Sequence, residues 1–448
     1  MKIKKLNSRG FSHIEAFMLV IVVVAIVGIG FFVVNKNKST KQVAHAGSNT
    51  LFLSKTLPGV TNILARYGDF IYAETGGNGK MDATPGLSIY NIAGKTPTLV
   101  NGIKGFNNSY WVGSGSQGVT TYNAHYFDSV KNILYVSTPD GWSPYKTSLI
   151  TAYQLYPNGA LPQVIAQLAD LPSGSTITGI TGQGNYIYAS YYTESKDNTL
   201  NLSNSLMSFK LIPNNKSYVY QTLARTTVDP ANFPTSQNDS NCSSNCLSAS
   251  GKFLYEGVNH ITPFSQTAPV GKVLAFDIAD ETKISFVASS KVTLANIKVT
   301  GNLPIESLVA VGSDIYVGGE QGAIYRIQNN GSVLTQKGIF RSNIWPSQPA
   351  TPYMVLSDVS SLSYNPMKGS LYALVNNEYF PKMNSFPILG SIVYELGLPG
   401  KTSNSLNPIS YKTFNNGNFV NLGSDQIGSS NPFVYLTDHT QTQLWGQN

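Results

Sequence analysis

The side chains that most often carry out catalysis are scarce in this chain and stand in no recognised catalytic pattern. Five histidines occur, and none has an H-x-E, H-E-x-x-H or G-x-S-x-G context. Asp128 follows His125 by three residues and Asp438 adjoins His439, but such pairs are common by chance. The sequence therefore predicts no catalytic residue, no cofactor and no metal ion. A glycosidase built from two distant carboxylates stays open as an alternative.

The two cysteines, Cys242 and Cys246, have a C-x-x-x-C spacing. Half a zinc site has that spacing, but no second Cys pair exists and the nearest His, His260, lies fourteen residues further on. In an oxidising compartment a local disulfide is the better interpretation. Two free thiols in a loop remain the alternative.

Composition favours a folded chain with few charges. Charged residues make up 12% of the 448 positions, whereas 42% are apolar and 11% aromatic. The net charge of +7 includes four positive side chains within the first ten residues. No dense basic patch remains elsewhere, so we predict a β-rich fold with an uncharged polar surface and no nucleic-acid partner.

An apolar run near the N-terminus predicts a membrane helix. Residues Ala16 to Val34 contain no charged side chain. At about 1.5 Å per residue they match the roughly 30 Å hydrocarbon core of a bilayer. The basic residues before the run predict a cytoplasmic N-terminus and a C-terminal bulk outside. Glu15 at the start of this helix requires a partner, because a lone carboxylate in lipid is unfavourable.

The run from Arg9 to Glu15 resembles the type IV prepilin (class III) signal, with Gly10 before the cut, Phe11 after it and Glu15 fifth in the mature chain. The resemblance implies cleavage after Gly10 by prepilin peptidase and methylation of Phe11. It also implies that Glu15 pairs with the terminal amine of a neighbouring subunit during assembly. His13 and the polar stretch after the helix depart from the family. An uncleaved signal anchor is the alternative.

From position 51 onward the chain repeats a short strand that ends in Tyr and, in most copies, an apolar residue. Seven copies occur, with their tyrosines 53 to 67 residues apart. The repeated tyrosines are Tyr72, Tyr135, Tyr188, Tyr255, Tyr316, Tyr372 and Tyr435. A small-residue strand precedes each copy, and two further strands joined by Gly, Pro, Asn or Asp turns follow most copies.

Four strands repeated seven times predict an all-β fold, a seven-bladed β-propeller preceded by one transmembrane helix. The strand order resembles that of YVTN or quinoprotein-like propellers. The last copy ends too early for a fourth strand, so we predict that the orphan strand at 50–55 closes that blade. A two-domain sandwich is the alternative. The predicted division is leader 1–10, helix 11–34, linker 35–49 and propeller 50–448.

The lengths of the connections predict which face of the propeller binds a ligand. Connections of one parity are short and those of the other are often long, and in a propeller the parity of a connection determines its face. Several large aromatic residues fall in or beside the long connections and are candidates for ligand contact. These are Trp111, Trp142, Tyr191, Tyr192, Trp345 and Tyr379.

Together these features predict a pilin-like surface protein, at a filament tip, that presents a propeller for adhesion or ligand binding. The alternatives are a membrane-tethered carbohydrate-active enzyme and a scaffold for envelope proteins. The predicted partners are prepilin peptidase, other pilin-like subunits, the lipid bilayer and an extracellular protein or glycan. The predicted location is the cell membrane, with the propeller extracellular.

Overall fold

The structure is a computed structural model of the whole chain. It describes residues 47–48, 51–75, 86–104, 110–112, 120–122, 124–139, 148–168, 170–172, 175–194, 202–215, 217–228, 246–260, 270–291, 305–319, 322–341, 355–379, 388–399, 406–415, 421–424, 433–437 and 441–447. All regular elements within these ranges are β-strands.

In chain order the strands are β1 (Gly47–Ser48), β2 (Leu51–Pro58), β3 (Val60–Tyr67), β4 (Phe70–Thr75), β5 (Gly86–Asn91), β6 (Thr98–Lys104), β7 (Tyr110–Val112), β8 (Thr120–Tyr122), β9 (His125–Asp128), β10 (Ile133–Pro139), β11 (Ser148–Gln154), β12 (Gln163–Leu168), β13 (Ser175–Gln183), β14 (Tyr186–Glu194), β15 (Leu202–Asn214), β16 (Ser217–Thr227), β17 (Leu247–Ser250), β18 (Phe253–His260), β19 (Val270–Asp277), β20 (Ser285–Lys291), β21 (Ile305–Val311), β22 (Asp314–Gly319), β23 (Ala323–Asn329), β24 (Leu334–Arg341), β25 (Val355–Asn365), β26 (Ser370–Tyr379), β27 (Ile388–Gly397), β28 (Asn407–Asn415), β29 (Asn421–Ser424), β30 (Phe433–Thr437) and β31 (Gln441–Gln447).

Twenty-eight of these strands form seven four-stranded antiparallel blades of a β-propeller, while β7 and β8 pair separately. Blades 1 to 7 are β3–β6, β9–β12, β13–β16, β17–β20, β21–β24, β25–β28, and β29–β31 with β2. The first strands of successive blades from 1 to 7 contact one another, and β3 of blade 1 contacts β30 and β31 of blade 7. The predicted seven-bladed propeller is therefore confirmed, and the two-domain sandwich is excluded.

The repeated Tyr strand is the second strand of every blade. All seven tyrosines are buried, with at most 5% of their surface exposed. The apolar clusters join neighbouring blades: Tyr316 and Ile324 of blade 5, for example, pack with Val359 and Leu371 of blade 6. The core therefore consists of the seams between blades, which explains why the aromatic side chain recurs once in each blade.

Tight turns connect the first two strands of most blades. Gly68 and Gly312 occupy these turns with positive φ angles, and Asn132 adopts the same conformation in blade 2. Gly and Asn tolerate the left-handed region better than other residues, so these turns are set by local sequence.

The ring closes with strands from both ends of the described chain. Strand β2 pairs antiparallel with β31 and supplies the fourth strand of blade 7, which confirms the predicted closure. Leu57 of β2 is completely buried at this join. Just before β2, the two-residue strand β1 lies parallel to β28 on the outer edge of blade 6.

Hydroxyl groups link consecutive blades at their inner strands. Ser307 of blade 5 donates to the carbonyl oxygen of Val359 in blade 6, at 2.9 Å. Ser361 of blade 6 donates to Leu422 O of blade 7, at 2.9 Å. Strands β21 and β25 each contain an irregularity in register immediately before the donating serine. Such bulges release backbone carbonyls from the sheet and re-aim side chains, so Val359 can accept a bond from a neighbouring blade.

The predicted membrane helix at 11–34 lies outside the described residues, as do the predicted leader and almost all of the linker. No helix long and apolar enough to cross a bilayer occurs in the ranges given above. The all-β propeller part of the predicted fold class is thus confirmed, and the N-terminal helix stays a prediction. Residues 47–448 form one compact unit.

Candidate functional site

The connections between strands divide the propeller into two faces. Because neighbouring strands in each blade are antiparallel, the second-to-third connection and the connection to the next blade leave from the same end of the blade. All five connections of ten or more residues between described strands of the blades belong to this end. We call it the long-connection face.

The longest connection without described strands of its own joins blades 3 and 4, and its two ends are tied to the seam between those blades. It leaves blade 3 at Val228, whose backbone N–H donates to the carbonyl oxygen of Asn204 at 2.9 Å. It enters blade 4 at Cys246, whose carbonyl oxygen accepts from the N–H of Gly257 at 2.9 Å. Asn204 and Glu256, the residue before Gly257, then meet across the seam.

A single hydrogen bond joins these two side chains. Asn204 Nδ2 donates to Glu256 Oε1 at 3.0 Å, and both residues are buried. Glu256 Oε2 and Asn204 Oδ1 have no hydrogen-bond partner within the described part of the chain. Buried polar atoms of this kind require an explanation, because most such atoms in folded proteins are paired.

The surroundings of Glu256 are apolar. Leu254 and Val258 lie two residues on either side of it, on the same face of β18. Both pack with Leu206 and Val228 of blade 3 in one core cluster. Burial raises the pKa of Glu256 from 4.5 to about 7, and the hydrogen bond from Asn204 offsets part of that rise. The carboxyl therefore changes its protonation state near neutral pH.

The repeat carries a signal for this site that the sequence analysis missed. Glu256 follows the repeated tyrosine of blade 4. The corresponding residues of the other six blades are all aliphatic: Ala73, Val136, Ala189, Val317, Ala373 and Leu436. A carboxylate at an otherwise aliphatic, core-facing position marks a special site. Asn204 carried no such signal, because its role depends on a partner in another blade.

Two further acids, the buried Glu395 and the partly buried Asp314, form part of the blade structure. In blade 6, Glu395 accepts hydrogen bonds from the hydroxyls of Tyr372 and Ser410, each at 3.0 Å. In blade 5, Asp314 forms an ion pair with Arg326 at 2.9 Å. These carboxyls are held by neighbours within their own blades.

Asp128, three residues after His125, likewise has a structural role. Asp128 accepts the backbone N–H groups of Val130 and Lys131 in the turn after β9, at 3.0 and 3.1 Å. The ammonium of Lys131 lies 3.0 Å from the same carboxylate. Over the described ranges, no three His, Cys, Asp or Glu side chains group closely enough to hold a metal ion.

Four of the six predicted ligand-contact residues fall in described strands. Trp111 lies in β7, Tyr192 in β14 and Tyr379 at the end of β26, but their side chains are outside the description. Trp142 and Trp345 are wholly outside it. The ring of Tyr191 is buried in the core of blades 2 and 3.

The predicted processing residues Gly10 and Phe11 and the assembly residue Glu15 lie outside the described residues. Cys246 is described and is buried against Ile305 of blade 5. Cys242 is not described, so the disulfide between the two cysteines stays a prediction.

Comparisons with known proteins give a fold-level likeness. No protein-family model matches the chain, and no curated protein matches it. Among solved structures it is similar to Sqt1 of Saccharomyces cerevisiae, with 10% identity over 89% of this chain and 98% of that one and a TM-score of 0.43. It is also similar to Chaetomium thermophilum Sqt1, with 14% identity over 89% and 100% and a TM-score of 0.42.

A third similar structure is Chaetomium thermophilum Sqt1 bound to the N-terminus of the ribosomal protein L10. The identity is 13% over 88% of this chain and 99% of that one, with a TM-score of 0.43. These low identities concern the fold and do not transfer an activity.

Three predictions from the sequence are wrong by this comparison. All three similar structures are of Sqt1, and the partner named for one of them is the N-terminus of a ribosomal protein. The predicted pilin-like function is therefore corrected. So are the predicted partners (prepilin peptidase, pilin-like subunits, the bilayer, and an extracellular protein or glycan) and the predicted membrane location. The pilin-like assembly and the membrane location were inferred from the first 35 residues, whereas the predicted protein or glycan ligand was inferred from aromatic residues in the long connections.

Proposed function

We propose that this chain is a non-catalytic propeller that binds a segment of another protein on its long-connection face. The observation that carries the proposal is the placement of all five connections of ten or more residues between described blade strands at one end of the blades. A rigid ring that carries long connections on one side is the usual arrangement of a recognition surface. The opposite end carries mostly tight turns.

The composition of these connections indicates the chemistry of the segment that they bind. They are rich in Asn, Ser, Thr, Gly and aromatic residues, and their few acidic and basic residues nearly balance. Such a surface offers aromatic contact area and amide or hydroxyl hydrogen bonds rather than a strong electric field. The proposed ligand is therefore an uncharged, partly apolar peptide segment, and its binding depends weakly on salt.

Trp111, Trp142 and Trp345 are the proposed anchors for this segment. Each belongs to a long-connection-face segment of a different part of the ring. Tryptophan is enriched among residues whose truncation weakens protein interfaces most. Tyr191 is not proposed as an anchor, because its ring is part of the core. The finer likeness of the blades to YVTN or quinoprotein-like propellers remains a prediction.

Three acidic residues with structural roles support a binding role over a hydrolytic one. Glu395, Asp314 and Asp128 are each engaged by a hydroxyl, a guanidinium or turn amides of their own blade. A glycosidase needs two carboxyls about 5 to 10 Å apart that face a common substrate. These three lie in three different blades and serve the packing there.

The test uses the full chain, immobilised, and a displayed library of random peptides of about 15 residues. We expect enrichment of uncharged sequences that contain aromatic residues. Calorimetry with one selected peptide should give similar dissociation constants at about 0.05 and 0.5 M salt. Trp345→Ala should weaken binding by roughly 30-fold, the effect of losing a central anchor worth about 2 kcal/mol.

A matched control changes a turn on the opposite face, residues 330–333 between β23 and β24. Replacing these four residues by Gly and Ser should leave peptide affinity unchanged. The proposal is refuted if no peptide is enriched over a blank surface. It is equally refuted if the turn replacement, rather than changes in the long connections, abolishes binding.

A further inference from the structure

We propose that Glu256 and Asn204 form a protonation-controlled clasp at the base of connection 229–245. The clasp holds the two ends of that connection together when the Glu256 carboxyl carries a proton and loosens them when it is ionised. Its consequence for ligand binding rests on the proposed function, because this connection belongs to the long-connection face. The clasp itself is a property of the seam between blades 3 and 4.

Three hydrogen bonds in series make up the clasp. The first runs from Val228 N to Asn204 O, the second from Asn204 Nδ2 to Glu256 Oε1, and the third from Gly257 N to Cys246 O. Val228 and Cys246 flank the connection. The side-chain bond in the middle is the link of this series that crosses between the blades, and it is also the one that responds to a proton.

The unfavourable burial of a charge, rather than the strength of the Asn204 bond, makes the protonated state the closed one. Asn204 Nδ2 donates more strongly to an ionised carboxylate, but burial outweighs that contribution. Glu256 Oε2 and Asn204 Oδ1 are both hydrogen-bond acceptors that are buried without a donor in the described part of the chain, and a proton on the carboxyl supplies a donor for them. Removing that proton leaves a negative charge among leucine and valine side chains, where an ion without a counter-charge is strongly unfavourable.

No charge among the described side chains replaces the proton. The described titratable side chains on this side of the packed strands are Tyr188 of β14 and Lys272 of β19. Neither contributes to the pKa of Glu256, which is set by burial and by Asn204. Burial raises the pKa of Tyr188 as well, so that phenol stays neutral over the same pH range. Four further titratable residues share this side by register, and their side chains lie outside the described part of the chain: Tyr192, Glu194, His260 and Lys291.

Separation of blades 3 and 4 at this seam would make the ionised state of Glu256 less unfavourable. The ends of the clasp lie where blades 3 and 4 meet the long-connection face, so a small separation there admits water to the carboxylate. Amide groups open to solvent with free energies well below that of global unfolding when only part of a structure separates. The amides of Val228 and Gly257 report this separation directly, because each takes part in the clasp.

The experiment is hydrogen exchange at these two amides in the full chain, read by mass spectrometry and corrected for the intrinsic effect of pH. From about pH 5 to about pH 8, protection in the natural chain should fall by up to about 100-fold. Glu256→Gln keeps an acceptor for Asn204 and carries no charge, so its protection should stay high at both pH values. Glu281→Gln, a carboxylate change elsewhere in blade 4, should retain the fall, since Glu256 is intact in it.

Equal protection of the natural chain at both pH values overturns the clasp, and so does an equal fall in Glu256→Gln. These readouts need no ligand, so they stand whether or not the peptide selection succeeds. With a selected peptide, we expect weaker binding to the natural chain at about pH 8 than at about pH 5, and no such difference for Glu256→Gln. A change in protection without any change in affinity would refute the regulatory role of the clasp.

Discussion

Replacing Glu256 by Gln should stabilise this propeller above neutral pH. The carboxyl is 2% exposed, lies in an apolar layer and accepts one hydrogen bond, from Asn204. Its pKa rises from 4.5 to about 7 on folding, mainly through burial. The folded state therefore binds a proton more tightly than the unfolded chain does. Stability from this group is fully present below about pH 4.5 and is lost as the pH rises to about 7.

The size of the effect follows from the change in pKa. Each pH unit between the unfolded and folded values corresponds to about 1.4 kcal/mol, so the total loss is about 3 kcal/mol. Most of it falls between about pH 5 and pH 8. That is a large share of the typical 5–15 kcal/mol by which domains are stable. Gln at this position has no charge to desolvate and retains an acceptor for Asn204.

Urea unfolding of both proteins across this pH range is the assay. We expect the natural chain to lose about 3 kcal/mol, and Glu256→Gln to exceed it by about 2–3 kcal/mol at pH 8 while matching it near pH 5. Glu281→Gln is the control for removing one carboxylate from blade 4. If Glu256→Gln is less stable than the natural chain at pH 8, the reasoning about the ionised carboxyl is wrong.

Three further predictions concern the ring, and unfolding free energies measured in urea check each of them. Leu57→Ala in the closing strand should lower stability by about 2–5 kcal/mol, whereas Leu53→Ala, 48% exposed in the same strand, should change it little. Gly318→Ala should lower it by about 1–3 kcal/mol, since an added Cβ would lie 2.3 Å from a Ser hydroxyl and 2.7 Å from a Val methyl. Gly397→Ala, whose nearest contacts are at 3.5 Å, is its matched control. Tyr372→Phe removes a donor to a buried carboxyl and should lower stability by about 1–2 kcal/mol. Equal losses of stability for Leu57→Ala and Leu53→Ala, or for Gly318→Ala and Gly397→Ala, would contradict the packing described.

The N-terminal motif predicts properties of its own segment only. The run with Gly10, Phe11 and Glu15 predicts processing and a membrane helix for the segment that contains it. It does not determine what a propeller several dozen residues away does. The function, partners and location inferred from it were accordingly the part of the sequence reasoning that the comparisons with Sqt1 overturned.

The sequence by itself determined the propeller, because its signals are local. A buried Tyr once in each blade, alternating strands and Gly or Asn turns all act within a few residues of one another, so the repeat predicts both the blades and their number. The orphan strand before blade 1 likewise predicts the closure with β31. The site, by contrast, becomes visible only when the blades are assembled. Asn204 and Glu256 stand 52 residues apart in different blades, and no periodicity specifies which side chains meet across a seam. The pKa of Glu256 depends on the hydrogen bond from Asn204 and on the apolar side chains around it, and both are in place only once the ring is formed.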